Sequence, residues 1–177
     1  MKIEIIAVGN MPPLILQRLP AALIKTFKPL VEKCVLFSIE SLPPNAYDAQ
    51  RQQYRAETVL HYLLLRANKD SVILGIVNVD IYVPELNFVF GLSQLLGRGA
   101  LVSIYRLNPA FYGQAPDPEL FWIRAKKEAV HELGHVFGLD HCNNPRCVMS
   151  FSNSILEVDR KSSEFCNRCR VRLFRCL

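Results

Sequence analysis

The chain has 177 residues, about the length of one ordinary domain. Half of its residues are hydrophobic and 21% are charged, which excludes a disordered, collagen-like or low-complexity protein. No apolar run approaches the ~20 residues that cross a bilayer, so we expect no membrane-spanning segment. The formal net charge of +5 is mild and does not require an acidic partner.

The N-terminal half alternates between strand-like and helix-like patterns. Three apolar runs are typical of buried strands: IEIIAVG, which begins at Ile3, then Cys34–Ile39 and Ser71–Val79. Helical spacing of apolar residues predicts one helix that begins at Pro12-Pro13 and a long second helix over Gln50–Asn68. This alternation predicts an α/β fold built on a mixed, mainly parallel, twisted sheet with backing helices.

Two further strands and a third helix are predicted after Pro84. The strand-like runs are Asn87–Leu92 and Ala100–Leu107. The helix begins with Asp117 as its N-cap and a proline in its first turn. We expect it to end near Phe137, because Gly138 can adopt the left-handed conformation that closes a helix.

The third helix carries the run HELGHVFGLDH. His131 and His135 lie one helical turn apart on the same face, so their rings can bind one metal ion. Glu132 reaches the edge of that site without ligating the ion, and the bend at Gly138 allows His141 to become a third ligand. Three protein ligands leave a fourth position open for water, which is typical of a catalytic zinc site in which Glu132 acts as the base.

The alternative for this run is an amphipathic helix with surface histidines. That alternative has to explain why three of the four histidines in the chain fall within one short run. The fourth, His61, lies in the predicted second helix and is interpreted as an ordinary surface or core histidine.

Four cysteines follow the histidines in the pattern C-x4-C and C-x2-C. Cys142, Cys147, Cys166 and Cys169 suit a tetrahedral four-thiolate zinc site that would clamp a C-terminal helix over Ser162–Arg175 onto the loop after His141. Two disulfides, free thiols or an iron–sulfur cluster are the alternatives.

The N-terminus lacks the apolar core and cleavage site of a signal peptide, so we expect a cytoplasmic protein with reduced thiols. Cys34 is interpreted as a small core residue, and Cys176 receives no role.

The complete pattern HExxHxxGxxH, C-x4-C-x-M and C-x2-C resembles the archaemetzincins (archaelysins), a family of metzincin zinc metallopeptidases. The match covers 128–169 and, more weakly, 79–80, 87–91 and 103–107. The resemblance implies a metzincin-like fold with an active-site helix and a zinc-locked C-terminal helix, and two zinc ions per chain. It implies these site residues: His131, His135 and His141 around the catalytic zinc, Glu132 as general base, Gly138 at the bend, Met149 in the Met-turn, and Cys142, Cys147, Cys166 and Cys169 around a structural zinc.

The family also implies a peptide or protein substrate, with aminopeptidase activity in some members. In metzincins an edge strand above the cleft pairs with the substrate backbone, and Ala100–Leu107 is the candidate here. We expect the Ser150–Glu157 loop to shape the side-chain pocket.

We predict one monomeric domain over 1–177, with a sheet-and-helix part over 1–138 and a cysteine-rich part over 139–177. The alternative function is a zinc-stabilised binding protein for peptide or nucleic acid. Basic residues at 160, 161, 168, 170, 172 and 175 could contact phosphates, but they also suit a thiolate cluster of net negative charge. We therefore do not expect a nucleic-acid partner, and the intact Glu132 favours a peptidase.

Overall fold

The computed structural model describes residues 1–175, so Cys176 lies outside the described residues. The α-helices within this range are α1 (Pro13–Phe27), α2 (Ala56–Arg66), α3 (Pro118–Val136), α4 (Ile155–Arg160) and α5 (Asn167–Phe174). The strands are β1 (Lys2–Val8), β2 (Lys33–Ile39), β3 (Tyr47–Asp48), β4 (Gln53–Arg55), β5 (Val72–Val77), β6 (Ile81–Tyr82), β7 (Gly91–Ser93) and β8 (Gly99–Ser103).

A five-stranded sheet in the order β2-β1-β5-β8-β7 forms the centre of the molecule. Its strands are parallel except for β7, which runs antiparallel to β8, and this confirms the predicted mixed, mainly parallel sheet. A second sheet of three short strands has the order β3-β4-β6.

Alternating side chains of the large sheet face two separate hydrophobic cores. Ile3 and Ile5 of β1 pack on the face that carries α1 and α3. Ile6 and Val8 pack on the opposite face against α2. The molecule is therefore a three-layer α/β/α arrangement, in which strands covered on both faces have the continuous apolar sequence that predicted them.

Helix α3 begins and ends where the sequence predicts. The Asp117 side chain accepts a 2.9 Å hydrogen bond from the Leu120 N–H, and Pro118 takes the first helical position. Gly138 adopts φ +86, the left-handed region that reverses the chain after the helix.

The predicted helix over Gln50–Asn68 is too long at its N-terminal end. The Asp48 carboxylate accepts hydrogen bonds from the N–H groups of Gln50 and Arg51, and Gln52 has a positive φ of 55. These features form a tight turn between β3 and β4. The helix itself begins only at Ala56.

The strand over Cys34–Ile39 exists, but its predicted burial is wrong. β2 is an outer strand of the sheet, so most of its side chains are partly or fully exposed, including Leu36 and Phe37. Cys34 is partly buried and packs against the core, consistent with its interpretation as a core residue.

The prediction of an edge strand over Ala100–Leu107 is also wrong. β8 ends at Ser103 and lies between β5 and β7, and the chain then forms a 3-10 helix over Tyr105–Leu107. The outer strand next to β8 is β7, which overlaps the predicted run Asn87–Leu92 only at Gly91 and Leu92. A three-residue strand gives too short an alternation for the sequence to reveal it.

The predicted C-terminal helix over Ser162–Arg175 exists as the shorter α5, and a further helix, α4, precedes that range. α4 was not predicted, and α5 begins after Cys166, its N-cap.

Within residues 1–175, none of the helices combines the length and the hydropathy that a membrane span requires.

An ion pair made by a buried arginine fixes α4 against α3. The Arg124 guanidinium donates two 2.7 Å hydrogen bonds to Asp159 and one of 3.1 Å to the Leu107 carbonyl. We expect Arg124→Met to lower the free energy of unfolding by about 2–3 kcal/mol, since it leaves the partly buried carboxylate unpaired. Urea denaturation measures this loss.

The matched control is Arg18→Met. Arg18 also bonds a carboxylate of α3, Glu119, but both side chains are exposed, so its loss should cost less than about 1 kcal/mol. Equal losses in the two variants would contradict the proposed role of the pair between Arg124 and Asp159.

Candidate active site

The helix and the bend that follows it bring three histidines together. One ring nitrogen from each of His131, His135 and His141 lies within 4.8 Å of the others. The Nε2 atoms of His131 and His135 are 3.1 Å apart. Two ligands of a tetrahedral zinc ion, at ~2.0–2.1 Å from the metal, lie roughly 3.3 Å apart, so this spacing fits a shared ion.

Backbone carbonyls fix the orientation of the two helical histidines. His131 Nδ1 donates to the Val148 carbonyl at 2.8 Å, and His135 Nδ1 donates to the Leu139 carbonyl at 2.6 Å. A proton on Nδ1 leaves the Nε2 lone pair free for a metal. Burial lowers the pKa of all three histidines, and that of His131 falls well below its usual value, so the neutral, ligating form is favoured.

Glu132 is buried beside the histidines and is held by strand β7. Its Oε2 accepts a 2.6 Å hydrogen bond from the Ser93 hydroxyl. A Cβ atom on Gly91 would come within 2.5 Å of Glu132 Oε1, so the carboxyl packs directly against the strand backbone. Burial raises the pKa of Glu132 to about 8, against the opposing effect of the Ser93 bond. A raised pKa suits a carboxyl that carries a proton between two reacting groups.

Sequence reasoning missed Ser93 and Gly91. They lie far from Glu132 along the chain, and no local pattern connects them to it. Only the packing of β7 beside α3 reveals the contact.

Met149 lies beneath the histidine helix. It is fully buried, and a Cβ atom on Gly134 would collide with its sulfur. The small residue between the two histidines therefore allows close approach of the methionine, as a floor beneath the site requires.

The four predicted cysteines also converge. Their Sγ atoms lie within 4.8 Å of one another, and those of Cys142 and Cys166 are 3.8 Å apart. Thiolates at ~2.3 Å from a tetrahedral zinc ion are separated by roughly 3.8 Å. All four cysteines are free thiols here, which argues against the alternative of two disulfides.

Hydrogen bonds favour the thiolate form of Cys166 at the start of α5. Burial alone would raise the pKa of Cys166, but the Cys169 N–H and the neighbouring thiols lower it to about 7. Arg168 contributes positive charge, with its Nη2 3.7 Å from Cys142 Sγ. The other basic residues of the segment do not all act this way, because Arg172 pairs with Asp140 and Lys161 pairs with Glu128.

The histidines open onto a cavity of about 520 Å³. Strand β7 lines one side, and Phe151, Ser152 and Asn153 line another, so the predicted Ser150–Glu157 loop does contribute to this cavity. His61, by contrast, is exposed on α2 and does not line it, in accord with its interpretation as an ordinary histidine.

Comparison with known proteins gives one consistent family. Residues 18–175 match the model of peptidase family M54. The archaemetzincin of Methanocaldococcus jannaschii is 44% identical over 149 residues, which are 84% of this chain and 82% of that protein.

Two solved structures agree with this match. The crystal structure of the archaemetzincin from Methanopyrus kandleri has a TM-score of 0.87 at 41% identity and covers 99% of this chain and 94% of that one. A zinc-dependent peptidase from Methanocorpusculum labreanum has a TM-score of 0.85 at 30% identity, with 97% of this chain and 99% of that chain covered. The chain therefore belongs to peptidase family M54, the archaemetzincins, and is a zinc-dependent metallopeptidase.

Proposed function

We propose that the chain hydrolyses peptide bonds at His131, His135 and His141, with Glu132 as general base and then general acid. The observation that supports this most is the orientation of the rings. Two Nδ1 atoms are occupied by backbone carbonyls, so the free nitrogens of the triad face a common point beside a buried carboxyl. An ordinary pair of surface histidines has no need of this arrangement.

Zinc bound by the three histidines would polarise the scissile carbonyl and lower the pKa of a water molecule. Glu132 takes the proton from the attacking water and passes it to the leaving amine. Ser93 holds Oε2 of this carboxyl, which leaves Oε1 to accept the proton.

We assign the binding of the substrate backbone to β7. This strand is one of the two outer strands of the sheet and lines the cavity together with the histidines. A peptide or protein substrate can extend the sheet by pairing with such a strand. The backbone of the substrate would then lie alongside the same strand that holds Glu132.

We propose a second zinc ion, with a structural role, at Cys142, Cys147, Cys166 and Cys169. The separation of the sulfurs and the nearby charge of Arg168 support it. The chain would then bind two zinc ions. The alternative of a binding protein that has lost turnover is not favoured, since the family is one of peptidases and Glu132 is intact.

Replacement of the base should abolish turnover. We expect Glu132→Gln to lower kcat by at least about 100-fold, because the isosteric amide cannot accept the proton. Zinc content, measured by mass spectrometry of the metal, should stay at the wild-type value. The control is Glu119→Gln on the same helix, where the carboxylate is exposed and bonds Arg18. Full activity in Glu132→Gln would remove the proposed base.

Unmodified and N-acetylated peptides, with the position of cleavage measured in each, distinguish an aminopeptidase from an endopeptidase. Release of single N-terminal residues from unmodified peptides alone would show the aminopeptidase activity that the resemblance implies for some members. Cleavage of the acetylated peptides as well would show an endopeptidase.

The hydrogen bond from Ser93 should contribute to catalysis through Glu132. We expect Ser93→Ala to lower kcat by roughly 5–30-fold with little change in KM, as the loss of a bond to a charged group predicts. Ser93→Thr, which keeps the hydroxyl, should restore most of kcat. Steady-state kinetics on one peptide measures all three proteins. A fall in kcat that Ser93→Thr fails to reverse would contradict this role.

Loss of one thiol should remove one metal ion. We expect Cys169→Ser to bind one zinc ion fewer per chain than wild type and to have a lower melting temperature, because three thiolates hold zinc less firmly than four. The matched control is Cys34→Ser, whose thiol lies outside the cluster on β2. Unchanged zinc content in Cys169→Ser would argue against the cluster as a metal site.

A further inference from the structure

The cavity beside the histidines contains polar groups that the proposed reaction does not use. Glu128 lies one turn before Glu132 on the same face of α3, and both residues line the cavity. Ser152 lines it from the segment that follows Met149. Because apolar side chains make up much of the remaining lining, two polar groups at this position require an explanation.

Glu128 is deeply buried and incompletely satisfied. Lys161 Nζ lies 2.8 Å from its Oε1, and the two side chains are 0% and 3% exposed. This contact is a close ion pair, and in the described part of the chain no other donor reaches the same oxygen. A buried ion pair is favourable only when further hydrogen bonds complete it. Glu128 can therefore still accept hydrogen bonds.

Ser152 is the second polar group without a partner. Its Oγ is buried from solvent, and in the described part of the chain it makes no hydrogen bond. A hydroxyl can donate one hydrogen bond and accept two. A ligand in the adjoining cavity could bond both Ser152 and Glu128 once the groups that enclose their oxygens move aside.

The charges of the lining select the chemistry of that ligand. The cavity is lined by Glu128, Glu132 and Asp140 but by no lysine or arginine of the described residues. A carboxylate accepts hydrogen bonds only, so its partner has to be a donor. A substrate carboxylate would instead meet the like charge of Glu128 and leave that carboxylate without a donor.

We propose that Glu128 and Ser152 form a specificity pocket for a substrate side chain that donates hydrogen bonds, an amide or a cation, on one residue next to the scissile bond. This inference rests on the proposed peptidase function. Lys161 acts as a positioning residue, since its ammonium holds the Glu128 carboxylate. Asn, Gln, Lys and Arg are accepted, and acidic or purely apolar side chains are disfavoured.

The test is a comparison of cleavage of peptides that differ only at the two residues flanking the scissile bond. Zinc-loaded wild-type protein should cleave the peptide that carries Gln with a kcat/KM at least about tenfold above the values for two other peptides. One of these carries the isosteric Glu, and the other carries Met, whose side chain has a similar length. In Glu128→Met/Lys161→Met the preference for Gln over Met should disappear, because an apolar pair replaces the ion pair. Equal cleavage by wild-type protein, or an unchanged preference in the double variant, would overturn the pocket.

A matched control removes the same charges outside the cavity. Lys126→Met/Glu164→Met deletes an ion pair between the same helix and the same C-terminal segment, and it should keep the wild-type preference. If the buried double variant does not fold, Ser152→Ala tests the pocket instead. Its preference for Gln over Met should be about fivefold lower than that of wild type. A full preference in Ser152→Ala would count against the pocket.

Calorimetric titration of Glu132→Gln protein with the same peptides measures selection without turnover. The Gln peptide should bind about tenfold more tightly than the Met peptide. If wild-type protein cleaves none of the peptides, the proposed function fails, and the calorimetry still tests the pocket. Equal affinities would overturn the pocket alone.

Discussion

The hydrogen bond between His131 Nδ1 and the Val148 carbonyl connects the two candidate metal centres. Val148 lies between Cys147, one of the four clustered thiols, and Met149, which packs beneath the histidine helix. The Cys142 N–H also donates to the Met149 carbonyl at 2.8 Å, which closes the segment on itself. The geometry of the histidine site therefore depends on a short loop, 142–149, that carries two of the four clustered cysteines.

Strand β7 makes a second connection, from the sheet to the carboxyl of Glu132, the proposed general base. It is short and lies at the edge of the sheet, yet it holds Glu132 through Ser93 and through the close approach of Gly91. In the proposed mechanism the same strand also pairs with the substrate. The general base and the peptide would then be positioned by a single element, which fixes their relative placement.

The sequence predicts most strongly what depends on local spacing. Helix and turn geometry predict the turn from His131 to His135, the bend at Gly138 and the C-x2-C at Cys166. In the structure Gly138 has the expected positive φ, and the histidines and cysteines form the two expected groups. The apolar runs predicted the central strands, because strands covered on both faces have few polar residues. Contacts between distant residues were not accessible. The outer position of β2, the interior position of β8 and the pairing of Lys161 with Glu128 depend on the order of strands and on packing, which local patterns do not encode.

The shared loop affects how chelation experiments on this enzyme are interpreted. If the cysteine cluster holds the proposed zinc ion, a chelator strong enough to remove it would release the segment that carries the Val148 carbonyl, and the ring of His131 would lose its hydrogen-bond acceptor. Inactivation by such a reagent would then report on scaffold integrity as much as on the ion at the histidines. Recovery of activity after zinc is restored would require the loop to refold before the three histidines could bind a zinc ion again.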